Sequence, residues 1–144
     1  MDLVKAGLLG AIAVLLGSAV LLHDRSNRRK AERLLKKRPP LDPEAFGRQH
    51  FGESERRAAL ATKLREALAR HVPFSLDGLA PDDAFNEGLR MDQIDSMSNA
   101  EFIIDVEKTL GIKVADSDVA HISTFRQLLD YVETRVALKN ERAG

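Results

Sequence analysis

The residues with the most chemical promise in this chain are Ile94-Asp95-Ser96-Met97. Asp95 is a good N-cap residue, which predicts a helix start with Ser96 in its first turn. Backbone donors in a first turn lack intrahelical partners, and the helix dipole is positive at that end. Both effects would favour a phosphodiester on Ser96 Oγ. Asp95 is also suited to help hold a magnesium ion while a phosphate group is delivered. An Asp-Ser-apolar tripeptide is common, however, and alone describes only a capped helix bearing a serine.

The rest of the chain offers little competing chemistry. The 144 residues include no cysteine, which excludes disulfides and cysteine-based metal sites. His23, His50, His71 and His121 are scattered and form no ligand pair at helical spacing, so no metal site is expected. There is no glycine-rich phosphate loop and no nucleophilic triad pattern. Asp82 and Asp83 follow Pro81 and read as turn or capping residues rather than an acid–base pair.

The elements that must position Ser96 are helical. Leu60, Leu64, Leu68 and Val72 recur every four residues, which predicts a helix over 54–72 with Ser54 as its cap. Residues 73–94 form a long connection containing Phe74, Leu76, Leu79, Phe85 and Leu89. A loop this apolar is expected to pack on the domain. Met97, Ala100, Ile103 or Ile104, Val106 and Leu110 give an apolar stripe over 96–110, and Gly111 suits the left-handed position that ends a helix. Asp116 can cap a short helix over 117–121. Ser123 or Thr124 can cap a last helix running to about 138, with Phe125, Leu128, Leu129, Val132 and Val136 inward. The expected fold class is all-α, a bundle of three main helices and one short one over 54–138, with a tail over 139–144.

The N-terminal third has a different character. Residues 3–22 are apolar apart from Lys5 and Ser18. Twenty helical residues span roughly 30 Å, the thickness of a hydrocarbon core. They predict a single transmembrane helix rather than a cleaved signal, since Asp2 offsets Lys5 and no clear cleavage site follows. Residues 23–38 hold eight basic and two acidic residues, net +6. Placed after an apolar helix, they read as a basic juxtamembrane helix that attracts membrane lipids through residues 3–38 and keeps the remainder on the cytoplasmic side of a bacterial membrane. No aromatic residues interleave the cations, which argues against nucleic acid. Pro39-Pro40 must end that helix, and residues 39–53 read as a Pro/Gly linker reaching up to about 50 Å if extended. Phe46 and Phe51 are unusual for a linker and have two options, docking on the domain or dipping into the interface. The formal net charge is zero, but residues 77–133 hold thirteen acids and four basic residues, net −9, so the chain joins a basic collar to an acidic domain.

From Asp95 onward the sequence DSMSNAEFIIDVEKTLGIKVADSDVAHISTFRQLLDYV resembles acyl carrier proteins. The resemblance rests on Asp95-Ser96-Met97, on Glu101 and Glu107, on Leu110-Gly111-Ile112 and Val114, on Asp116 and Asp118, on Ile122-Ser123-Thr124, and on Leu129-Asp130-Tyr131-Val132, in order and without a gap. It implies an acyl-carrier-like bundle. It also implies that Ser96 is the attachment site of 4′-phosphopantetheine, with Asp95 beside it and magnesium needed only during transfer. The arm's thiol would carry an acyl group as a thioester. Implied partners are a phosphopantetheinyl transferase and acyl-transferring or acyl-loading enzymes with basic docking surfaces, of lipid or polyketide type. Those enzymes would meet Met97, Glu101, Asp105 and Glu107. The chain would then be a carrier rather than an enzyme, tethered to a membrane. It departs from the family's usual pattern at Asp92-Gln93, Ser98 and Lys108. An alternative reading keeps the bundle but leaves Ser96 unmodified, as a membrane adaptor docking a basic partner through its acidic helix.

Overall fold

A computed structural model describes residues 26, 28–86, 88–89 and 96–143, with 96–98 as backbone. All regular structure among them is helical, which agrees with an acyl-carrier-like bundle. In chain order the helices are α1 (28–36), α2 (Pro43–Phe51), α3 (Glu55–Ala69), α4 (Ser96–Leu110), α5 (Asp116–Val119) and α6 (Phe125–Ala143).

The central bundle follows from local signals. Ser54 Oγ accepts the Arg57 N–H at 3.3 Å and starts α3, whose Ala58, Ala61, Leu64 and Leu68 are buried. Helix α4 buries Phe102 and Val106 against the same core. Gly111 ends it at φ 64°, a left-handed conformation that side chains disfavour. Thr124 Oγ1 accepts the Gln127 N–H at 3.2 Å, and Gln127 Oε1 accepts the Ser123 N–H at 2.7 Å. This reciprocal cap starts α6, which runs to Ala143, so residues 139–143 continue a helix rather than form a loose tail. Helix α5 begins at Asp116 with Ala115 at its cap position, and the Asp116 side chain makes no capping bond.

The long connection is packed, as its composition implies. Phe74, Leu76, Leu79, Phe85 and Leu89 all enter the core. The Phe85 N–H donates to Ser123 O at 2.8 Å, and the Arg126 N–H donates to Pro81 O at 3.0 Å, so the loop is sewn to the start of α6.

Residues 39–53, expected as a linker, are instead largely helical. Pro43 occupies the first turn of α2, and Asp42 Oδ1 accepts the Ala45 N–H at 2.8 Å. Pro43 is therefore an entry residue, at a position where its missing N–H costs nothing, whereas Pro39 and Pro40 follow the end of α1 as expected. Phe46 and Phe51 take the docking option: both are fully buried, with ring centroids 5.0 and 6.0 Å from that of Phe125. Arg65 of α3, itself buried, donates to the carbonyls of Leu41 and Asp42 and lies over the Phe46 ring. Desolvation lowers its pKa, and the carbonyls and ring offset part of that cost.

The basic collar also folds back. Helix α1 buries Ala31 and Leu35 and half-buries Leu34, while Arg28, Arg29, Lys30, Arg33, Lys36 and Lys37 face outward. Its apolar edge lies against the 77–89 loop rather than leading away from the domain.

The expected single-pass membrane location is corrected by the structure. No helix among the described residues is long and apolar enough to cross a membrane. Residues 3–22, on which that expectation rested, lie outside the described residues, and the collar assigned to the headgroups is packed on protein.

Candidate functional site

Ser96 is the first residue of α4. Asp95 lies outside the described residues, as does the side chain of Met97. The first turn of α4 carries no acidic side chain, and its amides stand at the positive end of the helix dipole. A serine-linked phosphodiester fits such a helix start. Within the chain the group would be held through Ser96 Oγ. When bound, a phosphopantetheine supplies a terminal thiol that forms thioesters, chemistry that a cysteine-free protein cannot provide itself.

The acids expected to form one docking row on α4 do different jobs. Glu101 is exposed. Asp105 is engaged inside the molecule. Its carboxylate accepts Arg70 Nε at 3.0 Å, Arg70 Nη2 at 3.1 Å and Thr109 Oγ1 at 3.0 Å, and lies 2.9 Å from His71 Nε2. The Arg70 guanidinium, then His71, hold the Asp105 carboxyl well below the usual carboxylate range. Glu107 is half-buried, and its Oε2 accepts the Val114 N–H at 3.1 Å across the turn after α4. Asp105 therefore ties α4 to the end of α3, and Glu107 braces the α4–α5 turn. The outer face of α4 is left with Glu101, Ile104 and Lys108, three and four residues apart. Ile104 is 47% exposed, unusual for a large apolar residue on a packed helix.

The sequence held no signal for the Arg70–Asp105 contact, because its partners stand 35 positions apart. Arg65 was equally hidden: it sits beside Leu64 on a helix read only for its apolar period. His71 behaves as a packed histidine, with its ring centroid 5.9 Å from that of Phe102.

With this geometry in place, the relatives of the chain become informative. The family described as "Phosphopantetheine attachment site" matches residues 62–132, from within α3 to within α6. The chain is similar to an acyl carrier protein of Chlorobium phaeobacteroides, 25% identical over 75 residues that cover 52% of this chain and 92% of that protein. It is likewise 25% identical over 75 residues to an acyl carrier protein of Thermosynechococcus vestitus, covering 52% and 89% of the two chains. An acyl carrier protein of Rubrobacter xylanophilus shares 26% identity over 76 residues, covering 53% and 90%. Helices α1 and α2 precede the matched segment. The attachment-site match and these relatives indicate a covalently bound 4′-phosphopantetheine as the cofactor. The attachment-site match and these relatives make the chain a phosphopantetheine-bearing carrier protein and not an enzyme.

Proposed function

We propose that Ser96 bears the 4′-phosphopantetheine arm, with Asp95 beside it, and that the protein presents an acyl thioester to enzymes of lipid or polyketide type. The observation that carries this reading is the position of Ser96 as the first residue of α4, inside the segment matched to phosphopantetheine attachment. A helix start with no carboxylate in its first turn suits an anionic phosphodiester. Asp95 is the residue suited to holding magnesium while the arm is transferred.

Docking of partner enzymes would centre on Met97, Glu101 and Ile104. Asp105 and Glu107 contribute less, because their oxygens are already engaged by Arg70, His71 and Thr109, and by the Val114 N–H. The docking surface is then a mixed one, an isoleucine between a single acid and a single base.

The test is intact mass of the purified full chain after incubation with coenzyme A and a phosphopantetheinyl transferase. One arm should add, and Ser96→Ala should add none. An adduct that persists in Ser96→Ala overturns the assignment. The mass of protein taken from its native host would also report the cargo.

A further inference from the structure

We propose that Arg38 is a positioning residue for arm attachment: α1, which lies ahead of the matched segment, clamps the loop that leads to Ser96, and Arg38 fastens the clamp. This rests on the reading that Ser96 bears the arm.

Arg38 stands just past the end of α1. Its Nη1 donates to Gly78 O at 3.1 Å, and its Nη2 donates to Asp83 Oδ1 at 2.8 Å, with a second contact from Nη1 to Oδ2. Asp83 Oδ2 also accepts the Ala80 N–H at 2.9 Å. The Asp83 side chain is only 8% exposed, against 36% for Arg38. A carboxylate this buried depends on its partner, and removing one member of such a pair leaves an uncompensated charge. Asp83 thus holds the loop internally and hands it to α1 through a two-pronged contact.

Two further observations show that α1 is seated rather than resting loosely. The Leu41 N–H donates to Asp77 O at 2.8 Å. At Gly78 an added Cβ would lie 1.8 Å from Leu35 O, so only glycine permits this approach of α1 to the loop. The opposite side of the loop is held by α6, through Phe85 to Ser123 and Arg126 to Pro81. The loop is therefore gripped from two sides, and its last described residue, Leu89, is fully buried. Only a short stretch of chain separates Leu89 from Ser96. Pinning one end of that stretch restricts where the serine can stand when a transferase brings a phosphate to it. Small misplacements of a reacting group are costly in rate.

The experiment measures kcat and KM for arm transfer from coenzyme A by a phosphopantetheinyl transferase, on full-length apo protein, with thermal stability recorded in parallel. Arg38→Ala is expected to lower kcat/KM by about tenfold, mostly through kcat, because a misplaced serine still binds. Arg38→Lys should recover part of the loss, since an ammonium reaches one acceptor but not the fork. Gly78→Ala, which alters no charge, should reproduce the Arg38→Ala defect by pushing α1 off the loop. The control is Arg57→Ala, which breaks contacts from α3 to Asp130 and Glu133 of α6 and touches neither Arg38 nor Asp83. It should lose stability yet accept the arm at the normal rate. Normal transfer to both Arg38→Ala and Gly78→Ala overturns the proposal. So does an equal defect in Arg57→Ala at matched stability, which would trace the effect to global unfolding. Arm transfer to Ser96→Ala would instead sink the assignment of the serine, whatever the Arg38 variants do.

Discussion

The carboxylate of Asp105, in the middle of α4, receives both Nε and Nη2 of Arg70 from the end of α3, at 3.0 and 3.1 Å. This forked pair joins two helices that otherwise meet through a few apolar side chains. Asp105→Asn should lower unfolding free energy by about 1.5–3 kcal/mol, the range for hydrogen bonds to charged groups. The lower half of that range is expected because Arg70 is half exposed. Urea denaturation of the variant checks this, and an unchanged midpoint would contradict it.

Stability should fall in two steps on acidification. Burial pushes the His50 pKa below its ordinary value, so the unfolded chain takes up that proton first. The contribution of neutral His50 is present above the unfolded value of about 6.5 and is lost as pH falls from there through the lowered folded value. Asp105 is depressed chiefly by Arg70. Its contribution is full above the unfolded value of about 3.9 and is lost as pH falls below that towards the folded value. Asp118, lowered by Tyr131 and then Arg135, acts in the same direction, more weakly because it is exposed to solvent screening. Thermal melts from pH 7 down to about pH 2 should show the first step and the greater part of the second, and Asp105→Asn should flatten the second.

Phe46→Ala should be among the most damaging single changes. Its ring is fully buried, touches Phe51 and Phe125 edge-on, and lies beneath the Arg65 guanidinium. Truncations of this kind cost about 3–5 kcal/mol. Chemical denaturation should show the whole domain weakened, not only α2, because Phe125 opens the last helix.

These aromatic contacts mark the limit of what the sequence reveals. Helices α3 and α6 were legible because each combines a cap with an apolar period, α4 was legible from its apolar stripe, and the packing of Phe74, Leu76, Leu79, Phe85 and Leu89 was legible from the apolar content of their loop. Helix α2 was not, because Pro43 and Gly47 resemble breakers until the first-turn role of Pro43 is seen. The helix over 96–110 was readable from its apolar stripe, whereas the pairing of Asp105 depends on a partner far away in sequence. Charge counting treats every carboxylate alike, and only packing separates Glu101 from Asp105 and Glu107.

Replacing Gly111 with alanine should cost about 1–2 kcal/mol, the penalty for a side chain in the left-handed region. The Lys139 ammonium, which donates to Leu110 O at 3.3 Å, would also be displaced by the new methyl group. A thermal melt gives the measurement, with Gly111→Asn expected to lose less because asparagine tolerates this conformation.

Charge changes on α4 should separate docking from folding. Glu101→Lys is expected to leave stability within about 0.5 kcal/mol of the parent. It should weaken docking to a basic-surfaced acyl-handling enzyme by about tenfold at low salt. Glu107→Gln should do the reverse, loosening the α4–α5 turn with little effect on docking. Titration of each variant against the same enzyme at two salt concentrations decides it. Equal docking losses from both would restore the picture of one continuous acidic row.

The folding of residues 39–53 bears on how far the cargo can travel. Fifteen unstructured residues would let the domain wander over roughly 20 Å, by the random-coil relation for flexible linkers. Here that slack is absent, because α2 is anchored through Phe46 and Phe51 and its entry is gripped by Arg65. The collar helix α1 and the carrier bundle share one apolar core through Ala31 and Leu35. With the arm proposed at Ser96, the volume its thioester searches would be set by the length of the arm rather than by slack in residues 39–53.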